Sequence, residues 1–366
     1  MKIVVTGTRG IPNILGGIET HCEELFPRIA AKGYDITIIR RKNYVQDQLT
    51  EYKGVQLVDL QTPRKKAYEA IIHTLKAVHF AKFKLKTDMI HIHAVGPALA
   101  IPYAKLLGLK VVFTHHGPDY DREKWGKAAK IMLRMGERLG AKYADKVIVI
   151  SEVINTILKN KHNRTDAHII YNGVPQPTFF TDSNYLNQLG VQSRKYFFTM
   201  GRFVPEKNFH QLIQAFASLK EKQNYQLVIA GDADFEDEYS NRLKKLAQEN
   251  GIILTGFIKG QKLQTLLSNA SAFVLPSSHE GLPIALLEAM SYQLPVIASN
   301  IPANLEVNLP HKNYFQTSDL NDLTAHLHQL ILSGYQECFY SMVNYDWDVI
   351  AEQTAHIYQI QSFESV

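Results

Sequence analysis

Short runs rich in Val and Ile recur along this chain, most of them followed by a stretch of helical periodicity, and the whole plan occurs twice. In the first half the runs cover residues 2–6, 35–40, 55–60, 89–93, 110–114 and 146–150, with helical patterns at 17–32, 67–83, 97–107 and 125–143. In the second half they cover 196–200, 226–230, 252–255, 272–275 and 295–298, with helical patterns at 207–222, 236–249, 260–268, 283–292 and 319–332. The runs do not alternate polar with apolar residues, which is the pattern of parallel strands covered on both faces. The expected fold is α/β: two doubly wound, Rossmann-like domains. A Pro- and Gly-punctuated polar segment at 173–195 reads as the linker. The expected organisation is a first domain over 1–180, a second over 190–345, and a terminal helix over 346–366 that packs back across the junction.

A chain of 366 residues, 45% hydrophobic and 20% charged, has enough apolar material for two cores and excludes a disordered or coiled-coil protein. Cys22 and Cys338 are its two cysteines. That excludes a disulfide scaffold and a Cys-rich zinc module, and it fits a reducing cytoplasm. No run of about 18 apolar residues is present to span a membrane, and the apolar stretch at the start is too short for a signal peptide.

Charge is unevenly shared. Residues 1–180 hold 28 basic against 16 acidic side chains, and residues 181–366 hold 12 against 19, within a net charge of +5. A basic first half suits an anionic surface. Its densest stretch, Arg64 to Lys86, has one acid, Glu69, and places Ala67, Ile71, Leu75, Val78, Ala81 and Leu85 at roughly helical spacing. Such a helix can lie on an anionic leaflet, or it can pack on a core with a solvated basic face. Nucleic acid is not expected as a partner, because neither an aromatic-interleaved platform nor zinc-finger spacing accompanies the charge.

Ligands of open α/β sheets bind beyond the carboxyl ends of the strands, so the segments after each strand carry the chemistry. After the first strand, Gly16 and Gly17 open a helix with Glu19 in its first turn. Neither a P-loop nor a GxGxxG pattern is present, but two glycines let backbone approach a phosphate at a helix start. His115 and His116 end the fifth strand, placed to hydrogen-bond a substrate or exchange protons with it. His91 and His93 share one face of an earlier strand, with no third ligand spaced to complete a metal site.

In the second half, Arg202 and Lys207 follow a strand and flank a helix start, an arrangement suited to a diphosphate. The segment 276–299 ends a strand at Leu275, turns at Gly281 and places Pro283 for a first helical position. That leaves the amides of Leu282, Ile284 and Ala285 for phosphate or sugar oxygens. Glu280 before this helix and Glu288 within it are acceptors suited to sugar hydroxyls. Asp232 and Asp234 are read as turn chemistry before an acidic helix rather than as a cation site.

These residues resemble the retaining glycosyltransferases of family 4, with GT-B architecture. The resemblance rests on Gly16-Gly17-Ile18-Glu19, Thr114-His115-His116-Gly117, Asn172-Gly173-Val174, Gly201-Arg202 with Glu206-Lys207, and Glu280 with Glu288. The string from His116 to Trp125 is similar to a bacterial polysaccharide subgroup that includes rhamnosyltransferases. The resemblance implies that His116, Arg202, Lys207 and Glu280 carry catalysis. Arg202 and Lys207 would neutralise the donor diphosphate, and Gly16 and Gly17 would let the first domain approach it. Glu280 with the backbone of Gly281, Leu282, Pro283 and Ile284 would hold the donor sugar. Glu288 would bind the ribose, Phe257 and Ile258 would flank the base, and Glu19 and Asp119 would sit near the acceptor. It implies transfer with retention, no metal, and no cofactor beyond the nucleotide-diphosphate sugar as co-substrate. The expected setting is cytoplasmic, at the inner face of an anionic membrane, with a glycan or lipid-linked acceptor.

Two positions depart from the family pattern. Pro175 stands where Asp often follows Asn-Gly-Val, and Gln293 stands where Gly commonly ends the helix after Glu288. A GT-B epimerase or phosphorylase, and a catalytically silent sugar-nucleotide scaffold, are the rival readings. The spacing of Glu280 and Glu288 together with Arg202 and Lys207 favours the transferase.

Overall fold

The computed structural model describes the chain except residues 64–67, 88, 122–125, 182–183, 221–223, 234–235 and 364–366, and the side chains of 361–363. The described residues form two compact units, one of residues 1–173 with 344–366, the other of residues 174–343.

The first unit is built on β1 (Lys2–Thr6), β2 (Asp35–Arg41), β3 (Glu51–Tyr52), β4 (Val55–Leu60), β5 (Met89–His93), β6 (Lys110–His115), β7 (Lys146–Val149) and β8 (His168–Ile169). Their order is β3-β4-β2-β1-β5-β6-β7-β8, and every pairing is parallel except the short β3–β4 hairpin. The helices are α1 (Gly17–Ala31), α2 (Glu69–Phe83), α3 (Ile101–Leu106), α4 (Lys127–Tyr143) and α5 (Glu152–His162). The chain runs outward in one direction from β1 through β2 and in the other through β5. The strand order therefore reverses at β1, and a crevice opens beyond the carboxyl ends of β1 and β5.

The second unit repeats the plan with β9 (Tyr196–Met200), β10 (Gln226–Ala230), β11 (Ile253–Leu254), β12 (Ala272–Leu275), β13 (Val296–Ser299) and β14 (Tyr314–Phe315). The sheet is parallel throughout, in the order β11-β10-β9-β12-β13-β14. Its helices are α6 (Asn184–Leu189), α7 (Phe209–Ser218), α8 (Glu238–Glu249), α9 (Gln261–Asn269), α10 (Ile284–Ser291), α11 (Pro302–Leu305) and α12 (Leu320–Ser333). Here the order reverses between β9 and β12.

Central strands are buried along their length: all of β5, β9, β12 and β13, and all but the first residue of β1. Several elements differ from the sequence expectation for local reasons. The pattern at 97–107 begins as a 3-10 turn over Pro97–Ala100 before α3. The pattern at 207–222 starts only at Phe209, because Asn208 takes a left-handed conformation with φ 51°. Pro283 is the N-cap of α10 with ψ 111°, one residue earlier than its expected helical position. The short strands β3, β8 and β14 carry too few residues to register as periodic runs.

The last helix, α13 (Trp347–Phe363), belongs to the first unit. Trp347, Ile350, Ala351, Ile357 and Tyr358 join the core formed by β1, β2 and α1. Gly173 is required there: a Cβ at this position would stand 2.7 Å from the Trp347 ring. The ring is 2% exposed and fills the space beside that backbone. Trp347→Ala is expected to lower the stability of the first unit by about 3–5 kcal/mol. Urea unfolding followed by circular dichroism reads this, and an unchanged midpoint would show that α13 adds no core.

Candidate active site

In the second unit, four loops at the carboxyl ends of the strands are tied into one edge. The β9 loop starts at Gly201, and Gly231 after β10 sits so close that a Cβ there would stand 1.9 Å from the Gly201 carbonyl oxygen. The Phe203 amide donates to Asp232 O at 3.0 Å, and the Gly231 amide to Gly256 O at 2.9 Å. The Ser278 amide donates to Glu206 O at 2.8 Å, and Asn208 Nδ2 to Pro276 O at 3.1 Å. Backbone bonds of this kind fix loops that carry function.

The edge brings Lys207 and Glu280 together. Lys207 Nζ donates to Glu280 Oε1 in a close ion pair, although the two lie 73 positions apart in the chain. Burial pushes the Glu280 carboxyl up, but the charge and hydrogen bond of Lys207 outweigh this and hold it below its ordinary value. Glu280 is therefore an anion held in place by Lys207. Arg202 lies half-buried in the same β9 loop. No side chain caps α10, and the Leu286 and Leu287 amides already donate to Pro283 O. With Pro283 as cap, the first-turn amides of Ile284 and Ala285 have no intrahelical acceptor. Gly281 and Leu282 form the turn before it, and Glu288 stands half-buried one turn inside the helix. Phe257 is an exposed ring after β11 with Ile258 beside it. Asp232 pairs with Lys244 at 3.0 Å and caps the Ala233 amide, which is turn chemistry. Asp234 lies outside the described residues.

In the first unit, the β1 loop is held from two sides. Buried Arg40 donates to Ile11 O at 3.1 Å. Glu19 accepts from Thr8 Oγ1 at 3.2 Å and the Arg9 amide at 3.0 Å, and is 4% exposed. The Glu19 carboxylate, expected near the acceptor, faces its own loop and clamps it to the first turn of α1. Gly16 caps α1 with φ 152°, and Gly17 faces open space where a Cβ would point.

His116 follows β6, and its Nε2 lies 2.9 Å from His93 Nδ1 at the end of β5. The His21 ring stands edge-on to both, at 4.9 and 5.7 Å between centroids, and its Nδ1 lies 3.0 Å from Asn172 Oδ1. The expected pairing of His91 with His93 holds only as a stack at 4.2 Å. His91 itself is bonded to Tyr358 Oη at 2.7 Å and Thr114 Oγ1 at 2.6 Å. The third partner of His93 is supplied by the fold: His21, His93 and His116 each offer a ring nitrogen within 4.8 Å of the others. Burial lowers the pKa of His21 to about 4 and of His91 to about 3, and takes His93 and His116 well below the ordinary value. All four are neutral at pH 7.

Glu137 of α4 went unrecognised in the sequence. It receives His115 Nε2 at 3.0 Å and His162 Nε2 at 2.7 Å, and its pKa falls to about 2 because these bonds outweigh burial. His115 Nδ1 accepts the Gly117 amide at 3.1 Å, so its proton sits on Nε2 and goes to Glu137. This network fixes the turn after His116 that leads to Asp119, which lies half-buried in a 3-10 turn. A lone Glu in a helical pattern carries no sequence signal for this. Residues 122–125 of the longer motif lie outside the described residues.

Two doubly wound domains, each with its loops organised at the carboxyl ends and one presenting fixed cations beside a helix start, define a GT-B-type transferase. Residues 15–176 match the family model described as Glycosyltransferase Family 4, and residues 183–338 match Glycosyl transferases group 1. The chain is 25% identical to an uncharacterised glycosyltransferase of Methanocaldococcus jannaschii over 98% of both. It is 27% identical to the Escherichia coli UDP-Gal:alpha-D-GlcNAc-diphosphoundecaprenol alpha-1,3-galactosyltransferase, over 90% of this chain and 87% of that one. Sucrose-phosphate synthase from Thermosynechococcus elongatus shares the fold, with a TM-score of 0.85 at 21% identity over all of both chains. The protein belongs to the family 4 glycosyltransferases of GT-B architecture.

The buried neutral histidines make stability depend on pH. His21, His73 and His91 have folded values of about 4, 4 and 3 against an ordinary 6.5. The unfolded chain therefore takes up protons first, and the stability they lend is complete above pH 6.5 and lost as pH falls toward 4. Each contributes about 1.4 kcal/mol per pH unit in that window. Urea midpoints at pH 7 and pH 5 test this, and equal midpoints would show that these rings protonate in the folded state.

Proposed function

We propose that this glycosyltransferase takes its sugar from a nucleoside-diphosphate donor, retains the anomeric configuration, and uses neither a bound metal nor a cofactor. It delivers the sugar to a glycan or lipid-linked acceptor in polysaccharide biosynthesis. The pairing of Lys207 with Glu280 beside the uncapped start of α10 carries this reading. The substrates named for the Escherichia coli relative, a UDP-sugar and a diphosphoundecaprenol-linked sugar, support the donor and acceptor classes.

Each residue then has a role. Lys207 and Arg202 meet the donor diphosphate and gain strength as negative charge builds on the leaving oxygen. Glu280, Gly281 and the amides through Ile284 hold the sugar hydroxyls, Glu288 takes the ribose, and Phe257 and Ile258 flank the base. Gly17 offers an open backbone at the start of α1 to an anion. Asp119 serves the acceptor, and His116 assists at the sugar as a neutral donor or acceptor. The bond from the sugar to the diphosphate breaks, the acceptor oxygen bonds the same carbon from the same face, and its proton passes to a diphosphate oxygen. Glu280 is tied to Lys207, which argues against a free carboxylate nucleophile of the glycosidase kind.

The first domain's surface supports a place for the reaction at a membrane face. α3 lies against both α2 and α4. These helices expose Leu75 and Phe83 on α2, Leu106 at the end of α3, 81% exposed, and Ile131 and Met135 on α4. The exposed face of α4 carries Lys127, Arg134, Arg138 and Lys142, while its one acid, Glu137, is buried. Apolar anchors among cations suit the anionic inner leaflet of a membrane. Residues 64–67 of the basic segment lie outside the described residues. Among the described residues no helix is long and apolar enough to cross a membrane.

Two measurements test the reading. Thermal unfolding with UDP-, GDP-, dTDP- and ADP-sugars, without metal, should show one base class raising the melting temperature. A donor at 100 times its Kd adds about 2.7 kcal/mol. Lys207→Met should abolish that shift and lower kcat by about 10²–10³-fold. No shift with any donor, with or without Mg²⁺, would count against the nucleotide-sugar donor, and a shift without turnover would favour the silent scaffold. Separately, binding to phosphatidylglycerol vesicles should weaken with salt and fall sharply in Arg134→Glu/Arg138→Glu. Salt-independent binding, or none, would remove the leaflet from the account.

A further inference from the structure

His21, His93 and His116 come from three separate elements: the second turn of α1, the end of β5 and the residue after β6. The ring nitrogens they offer lie within 4.8 Å of one another, the one such group of His, Cys, Asp or Glu among the described residues. Three further observations concern how these rings are satisfied. His21 Nδ1 lies 3.0 Å from Asn172 Oδ1, an oxygen that can only accept, so Nδ1 carries the proton and Nε2 keeps its lone pair. A ring fixed in this tautomer by an outer hydrogen bond is the usual state of a metal-binding histidine. His93 Nδ1 and His116 Nε2, 2.9 Å apart, share a single proton between two bases. Finally, His93 Nε2, the nitrogen that does not face His116, is buried without a hydrogen-bond partner, so no protein acceptor fixes the tautomer of this ring.

Imidazole donors without a carboxylate or thiolate favour the borderline dications Zn²⁺, Co²⁺, Ni²⁺ and Cu²⁺ over Mg²⁺ or Ca²⁺. Ligands 2.0–2.1 Å from a tetrahedral Zn²⁺ stand about 3.3 Å apart. The shared-proton pair must therefore open slightly and the widest separation must close. These are small movements of the three rings, of which His116 is the one that reaches solvent.

We propose that His21, His93 and His116 form a binding site for one borderline transition-metal dication, Zn²⁺ foremost, with its remaining position open on the solvent side of His116. On binding, the proton between His93 Nδ1 and His116 Nε2 moves to the outer nitrogen of the ring that carried it, so both rings stay neutral and each offers a lone pair to the metal. The site is inhibitory rather than catalytic: a metal that engages His116 withdraws it from the transfer reaction. That second statement rests on the functional reading above, whereas the binding site does not.

The test uses the full chain without an affinity tag. Equilibrium dialysis against Zn²⁺ with metal analysis should give one Zn²⁺ per chain, and Co²⁺ should give the visible absorption bands of a four-coordinate nitrogen site. His116→Gln, the substitution best tolerated for folding, and His93→Asn should each lower affinity by at least about 100-fold, and Asn172→Ala by about 10-fold. His79→Gln, on the exposed face of α2, should leave binding unchanged. Thermal unfolding of the metal-free variants separates lost binding from lost folding. Wild-type protein that takes up no stoichiometric metal overturns the site, as does full binding in folded His116→Gln. Reversal of Zn²⁺ inhibition by a chelator, together with loss of Zn²⁺ sensitivity in the residual activity of His116→Gln, supports the inhibitory role. Stoichiometric binding with unchanged transfer overturns that role and leaves the site. Absence of transfer under every condition counts against the proposed reaction, not against metal binding.

Discussion

Burial of the central strands on both faces leaves polar chemistry one place to gather. A strand such as β5, buried at all five residues, cannot present a charged side chain to either face without a partner. The loops beyond the carboxyl ends are free of that limit, and both domains place their glycines, cations and histidines there. The same constraint explains why those loops are tied to each other through backbone. Gly201 and Gly231 meet because neither has a Cβ, and the loops after β9 and β12 are joined through Ser278 and Asn208. The scaffold is rigid where the chemistry requires fixed charges.

The Lys207–Glu280 pair shows what such rigidity serves. A largely buried ion pair is weak support for stability, because desolvation offsets most of its Coulomb energy. Its use is to hold an ammonium and a carboxylate in place before a ligand arrives. In the proposed reaction, a diphosphate meeting Lys207 would find its counter-charge already oriented, with little reorganisation needed when the bond breaks. The first domain solves a different problem with neutral groups. Four buried imidazoles stay uncharged, and the buried carboxylate of Glu137 receives two histidines from different elements. That arrangement holds the turn after His116 through hydrogen bonds to a buried carboxylate. It also leaves three imidazole nitrogens facing one another.

Much of this was legible in the residues. Val- and Ile-rich runs locate the strands because buried parallel strands need β-branched side chains, and this preference is local. Gly16, Gly17, Gly281 and Pro283 punctuate the chain at the loops that matter, and Arg202, Lys207, Glu280 and Glu288 flank two helix starts. Local patterns missed by small amounts where a single backbone angle decides. Asn208 and Pro283 each moved a helix start, through a left-handed φ in one case and an extended ψ in the other. Short strands such as β8 and β14 escaped because two residues cannot display a period.

The sequence by itself determined the class of fold, the positions of the strand-end loops and the residue types they carry. Each of these depends on neighbours within a few positions. Tertiary structure alone decided which of those residues meet. Strand order places β5 between β1 and β6, so a helix start after β1, a strand end at β5 and a turn after β6 converge on three histidines. The crossover from β9 to β12 brings Lys207 to Glu280. Glu19 faces inward because the loop before it folds back over α1, and Tyr358 reaches His91 because the chain's last helix returns to the first domain. Contacts between residues tens or hundreds of positions apart follow from the order in which crossovers lay strands side by side, and no local pattern encodes that order.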